Sequence, residues 1–120
     1  MPKSIPITGV EVPEFLSLAR KLWSEEEHDA LVDYVAYNPT AGDLMVGTGG
    51  LRKLRWAMAG RGKSGGARII YYYHNVDVPL FLLTVYAKND RADIRQAERN
   101  AYRDLVAVLV ETYPKKGRSQ

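Results

Sequence analysis

The sequence predicts an α+β domain: two N-terminal helices, an antiparallel sheet of three to four strands, and a C-terminal helix, packed as two layers. Three observations predict it. Apolar residues recur three and four apart near the start and the end of the chain. Between Leu51 and Ala87 they alternate or run continuously, as in half-buried or buried strands. The connections inside that middle region are short, so neighbouring strands run antiparallel.

A short strand is expected around Ser4–Val10, although Pro6 interrupts it. Residues 13–22 read as the first helix. Pro13 suits a first turn, and Phe15, Leu16, Ala19 and Leu22 fall at helical spacing. Ser24-Glu25-Glu26-Glu27 is a capping box that opens the second helix, with acids at the positive end of its dipole. His28, Leu31, Val32 and Val35 form its inward stripe. Asn38-Pro39 ends it, because a residue before proline avoids the helical region.

Thr40–Gly50 is punctuated by glycine. Strands follow at Leu51–Met58, Ala67–Tyr73 and Leu80–Ala87, rich in residues that fit a pleated surface. The segment Gly60–Gly66 joins the first two, and His74–Pro79 joins the second pair. The last helix is expected to begin near Asp90. Its stripe is Ile94, Ala97, Ala101, Tyr102, Leu105, Val108 and Leu109, and Pro114 ends it. Residues 115–120 read as a loose basic tail on a single domain of 120 residues.

Composition narrows the function classes. The chain has no cysteine, which excludes disulfides, thiolate metal sites and cysteine nucleophiles. It has no apolar run of transmembrane length and no signal-peptide core at its start, so a cytoplasmic location is expected. The net charge is only +3, but it is segregated. No Asp or Glu lies between Asp43 and Asp77, while Arg52, Lys53, Arg55, Arg61, Lys63 and Arg68 do. Outside that interval acids outnumber bases. A basic segment of this kind attracts polyanions, of which nucleic acid is the commonest.

Alternation places Leu54, Trp56 and Met58 on one face of their strand and Lys53 and Arg55 on the other. Two neighbouring cations repel unless an anion or solvent intervenes. Arg68, Ile70 and Tyr72 share a face of the next strand, and Thr84, Tyr86 and Lys88 a face of the last. If the three faces coincide, one surface presents Lys53, Arg55, Arg68, Tyr72, Tyr86 and Lys88. Cations that hold phosphates, mixed with rings that stack on bases, suit RNA. A solvated outer face explains the same pattern, and the residues alone leave both readings open. The tip Gly60–Gly66, with Arg61 and Lys63, is a solvated turn whose glycines permit approach to a phosphate backbone; its spacing is not that of a Walker loop.

Conventional catalytic sets are missing. His28 reads as a core-edge residue, His74 ends a strand, and no metal-ligand spacing is present, so no metal or other cofactor is expected. RNA cleavage remains within reach of Arg, Lys and Tyr, because the ribose 2′-hydroxyl is an internal nucleophile. The protein need only orient it, stabilise the phosphorane and protonate the leaving oxygen. A lysine crowded by arginines can also serve as base.

The runs Gly47–Arg55 and Gly60–Tyr72 resemble the signature of RelE/HigB-type toxins, with Leu83–Asn89 matching the last sheet strand and Asn38–Asp43 the upstream pattern. The resemblance is closest to the second HigB type and spans the chain from Phe15 to the final helix. It implies a RelE-like fold and a ribosome-dependent mRNA endonuclease that inhibits translation. It also implies a cognate HigA-like helix-turn-helix antitoxin, through which alone operator DNA is bound. By analogy the catalytic set is Lys53, Arg55, Arg68 and Lys88. Lys53 or Arg55 would activate the 2′-hydroxyl, Arg68 would stabilise the phosphate, and Lys88 would contact phosphate or leaving group. Arg52, Arg61, Lys63, Tyr72 and Tyr86 would bind RNA. The chain departs from many members in having no tyrosine in Asp90–Ile94. A non-catalytic RNA- or ribosome-binding module, acting mainly through its antitoxin, is the alternative.

Overall fold

Residues 5–57 and 66–113 are described by a computed structural model. Met58, the segment 60–65 of the expected turn and the tail 115–120 lie outside these residues. The order is β1 (Gly9–Glu11), α1 (Pro13–Leu22), α2 (Glu25–Tyr37), β2 (Asp43–Leu44), β3 (Leu51–Trp56), β4 (Ala67–Tyr72), β5 (Leu80–Ala87) and α3 (Gln96–Thr112). The α+β class and the order of helices, sheet and helix are as expected.

The helices start where local chemistry puts them. Pro13 occupies the first turn of α1. The Ser24 hydroxyl accepts from the Glu27 N–H at 3.1 Å, and the Glu27 carboxylate accepts from the Ser24 N–H at 2.9 Å. Phe15 and Ala19 of α1 and Leu31 and Val35 of α2 are buried together against the sheet.

The sheet has five strands in the order β1-β5-β4-β3-β2. Pairing along β3, β4 and β5 is antiparallel, as the short connections demand. Two short edge strands extend it. β1 covers only residues 9–11 and pairs parallel with β5, so the first strand is shorter and later than Ser4–Val10. The pair Asp43–Leu44 inside the glycine-rich stretch becomes β2 beside Lys53 and Arg52. Edge strands this short carry too few residues to show a period.

Helices lie on both faces of the sheet, which corrects the two-layer expectation. Leu54, Ala67, Ile69, Tyr71, Leu82 and Val85 face α1 and α2. Leu51, Ile70 and Phe81 face the other way, toward Tyr102 and Val106 of α3. The near-continuous burial of β5 follows, since a strand covered on both faces needs apolar residues throughout.

The final helix begins at Gln96, not near Asp90, and its inward stripe is rotated from the expected one. Ile94, Tyr102 and Leu109 of the expected stripe face the core together with Val106, whereas Ala97, Ala101, Leu105 and Val108 are exposed. The Glu98 carboxylate accepts from the Arg95 N–H at 2.8 Å, which sets the first turn there. Tyr102 donates to Glu14 Oε2 at 2.8 Å, and Thr84 donates to the same oxygen at 2.7 Å. One carboxylate thus ties α1, β5 and α3 together. Polar anchoring, invisible to an apolar periodicity, decides the rotation of α3.

Candidate nucleic-acid interface

Register sets what the strands can build. Directly opposed residues on paired strands share a face. Arg55 faces Arg68, and Arg68 faces Tyr86, in one row across β3, β4 and β5. Lys53, Ile70 and Thr84 form the adjacent row. A third row holds Leu51, Tyr72 and Phe81. A register shift between Ile70 and Tyr71 leaves Leu83 as the extra residue of β5 and keeps Thr84 and Tyr86 on the face of Lys53.

Along the row Arg55 is exposed, Arg68 half-buried and Tyr86 buried. Among the described residues no ion pair joins Arg55 or Arg68 to a carboxylate. Arg68 only donates to its neighbour's carbonyl, Ala67 O, at 3.3 Å. Lys88 follows in the turn just past β5, and its N–H donates to Gly66 O at 3.0 Å. Three residues of the expected catalytic set, Lys53, Arg55 and Arg68, therefore share one face of the sheet, and Lys88 lies in the turn beside it.

Lys53 does have a partner. Its Nζ lies 3.1 Å from Asp93 Oδ1, and Arg99 Nη2 of α3 lies 2.7 Å from Asp93 Oδ2. The Ile94 N–H donates to Oδ1 at 2.8 Å, and the Tyr86 hydroxyl approaches the same oxygen at 3.4 Å. Partial burial opposes ionisation of Asp93, but Lys53, the Ile94 N–H and Arg99 outweigh it and hold the carboxyl below its usual range. Burial, reinforced by Asp93, pushes the Tyr86 phenol up to about 12, so at neutral pH it is a donor. The Arg91 guanidinium covers the Tyr86 ring at 5.3 Å and is itself held by Glu98.

Other members of the expected RNA-binding set are not brought here. Arg52 points to the opposite face, as alternation with Lys53 requires. It donates to Gly42 O at 2.7 Å and Thr40 O at 3.2 Å, and so holds the loop before β2. Tyr71 holds the same loop: its hydroxyl accepts from the Gly42 N–H at 2.9 Å and donates to Pro39 O at 2.8 Å. A side chain at Gly42 would meet the Tyr71 ring at 2.8 Å, so only glycine fits. Tyr72 is four residues along β4 from Arg68, about 13 Å away at strand rise, and stacks on His74. His28 is held by Glu11 and packs edge-on against Phe15 at the core margin. Arg61 and Lys63 lie outside the described residues.

The two groups that complete the face, Asp93 and Arg99, lie in and after a loop that resembles a helix start in the sequence. The available signal was the pair Lys53 and Arg55, which calls for an anion nearby. Among the described residues no three His, Asp or Glu side chains converge to hold a metal ion.

Fold and face together define a small α+β protein that clusters cations on one face of its sheet. A family model described as the RelE toxin of the RelE/RelB toxin–antitoxin system matches residues 21–116, from the end of α1 to just beyond α3. The match covers well over half of the chain, and the chain belongs to this family of toxins. No helix of the described residues is long and apolar enough to cross a membrane.

Proposed function

We propose that the chain is a ribosome-dependent mRNA endonuclease of the second HigB type, neutralised by a HigA-like helix-turn-helix antitoxin. The observation that carries this reading is the row Arg55–Arg68–Tyr86 beside Lys53, with neither arginine ion-paired among the described residues. Two guanidiniums directly opposed on a sheet are destabilising in isolation. A phosphate between them reverses the sign.

Cleavage needs an in-line attack of the ribose 2′-oxygen on phosphorus, with loss of the 5′-oxygen of the next nucleotide. The 2′-hydroxyl loses its proton to solvent water as the new P–O bond forms, and the leaving 5′-oxygen takes one from the Lys88 ammonium as the old bond breaks, with Lys88 reprotonated from solvent. Products are a 2′,3′-cyclic phosphate and a 5′-hydroxyl. Arg68 stabilises the equatorial charge of the phosphorane. Lys53 and Arg55 favour the developing alkoxide, and Lys88 supplies the leaving side of the face. Tyr86, un-ionised, donates a hydrogen bond. The ribosome contributes the geometry of the mRNA, which the small face cannot impose alone.

The test is primer extension on a reporter mRNA in translating bacterial extract. New 5′ ends that require both the protein and active ribosomes are expected. A second reading, an RNA-binding module without catalysis, is favoured by the absence of any imidazole beside the Arg55–Arg68–Tyr86 row: His28 is bound to Glu11, and His74 to Tyr72 at the far end of β4. Tight, salt-sensitive binding with intact transcripts would establish that reading instead.

A further inference from the structure

Asp93 sits where the chemistry of the face calls for a phosphate. Its two carboxylate oxygens are taken by Lys53 on one side and Arg99 on the other, from two elements that meet only in the fold. A carboxylate and a phosphate offer the same pair of acceptor oxygens to a guanidinium and an ammonium. Arg99 has capacity to spare: its Nε is buried and, among the described residues, has no hydrogen-bond partner. Lys53 and Arg99 also open onto a cleft of about 340 Å³, lined further by Asp43, Leu44, Met45 and Val46. The carboxylate is anchored through a backbone N–H at the loop, not locked in the core, and its side chain is 37% exposed.

We propose that Asp93 is an internal stand-in for an RNA phosphate, and that Lys53 and Arg99 form an anion subsite which a backbone phosphate enters by displacing it. The proposal rests on reading this face as the RNA-binding surface, and it adds Arg99 to the groups that bind the backbone. Resting occupancy by Asp93 halves the net charge of the clamp and weakens binding to free polyanions. A phosphate already positioned by a larger assembly displaces the carboxylate with less loss of freedom than a free strand.

The probe is a short, labelled, single-stranded 2′-deoxy oligonucleotide, which lacks the nucleophile and reports binding without cleavage. Affinity is measured against salt for the isolated protein. Asp93→Asn removes the competing charge and is expected to bind about 3- to 10-fold tighter, while Asp93→Glu stays near wild type. Arg99→Ala is expected to bind several-fold more weakly and to lose about 0.7 from the slope of log affinity against log salt. A folded Asp93→Asn protein with unchanged or weaker affinity would overturn the proposal. If Asp93→Asn does not fold, Arg99→Ala decides: unchanged affinity and slope would overturn it equally. Tightening by Asp93→Asn without mRNA cleavage in extract would leave the subsite and remove the nuclease. Cleavage with no response to Asp93 would do the reverse.

Discussion

Replacing Arg68 by alanine separates stability from function more cleanly than any other change on the cationic face. Arg68 sits directly opposite Arg55 and lacks an ion-paired carboxylate among the described residues. Its only hydrogen bond within the described chain is a long one to Ala67 O at 3.3 Å. Opposed like charges on a sheet cost roughly 0.2–1 kcal/mol, and Arg55 is exposed enough for solvent to hold the value at the lower end. Arg68→Ala therefore leaves stability unchanged or raises the melting temperature by about 1–4 °C. The effect on cleavage runs the other way. Removing one preformed donor to a developing oxyanion typically costs about 10²–10³ in rate. The loss should fall on the catalytic rate at saturating ribosomes, because the charge it meets develops only in the transition state. The assay is a thermal melt of the purified variant beside primer extension and growth arrest on induction. A fully toxic Arg68→Ala protein would refute the site, and a melting temperature lowered by more than a few degrees would refute the account of its electrostatics.

Three further outcomes follow from the same geometry. Tyr71→Phe strips the Gly42 N–H and Pro39 carbonyl of their partner and should cost about 1–3 kcal/mol in chemical denaturation, with cleavage per folded molecule retained; an unchanged midpoint would deny that the hydroxyl holds the loop. Glu14→Leu, which leaves the hydroxyls of Thr84 and Tyr102 without their shared acceptor, should raise amide exchange across α3 before the rest of the fold; uniform exchange would show that apolar contacts alone seat the helix. Arg91 and the Arg95 N–H hold Glu98 below its ordinary value of 4.5, and Asp93 likewise lies below its ordinary 3.8. A depressed carboxyl stabilises the fold fully above its unfolded pKa and loses that contribution as pH falls through the folded one. Thermal stability should therefore be level near neutrality and decline below about pH 4. Glu98→Gln should flatten that acid limb, and an unaltered limb would remove Glu98 from it.

Much of the fold is legible in the chain because its signals are local. Proline, the Ser24–Glu27 box and Asn38-Pro39 bound the first two helices through backbone groups within a few residues. The span of β5 matches its apolar run, and alternation alone separates Lys53 and Arg55 from Leu54. Family membership is likewise carried by short runs of residue types. Those signals stop where partners are distant. β1 and β2 are too short to have a period and exist only because β5 and β3 offer open edges. The start of α3 and its rotation depend on Glu98, Glu14 and Thr84, not on the spacing of its apolar residues.

The same division runs through the candidate site. By itself the sequence determined that an acid-free basic segment exists, and that Lys53 and Arg55 share a face; the expected RNA-binding role of Arg52 gave way only when the fold showed it holding the loop before β2. Only the tertiary structure decided that Arg55, Arg68 and Tyr86 fall in one row, since register is a relation between strands and a single slip would invert it. Only the tertiary structure decided that the anion beside Lys53 is Asp93, 40 positions away in sequence, held from the other side by Arg99. Alternation and capping act over a few bonds and can be read along the chain. Charge neutralisation acts through space, and its partners appear when the sheet and the last helix close on each other.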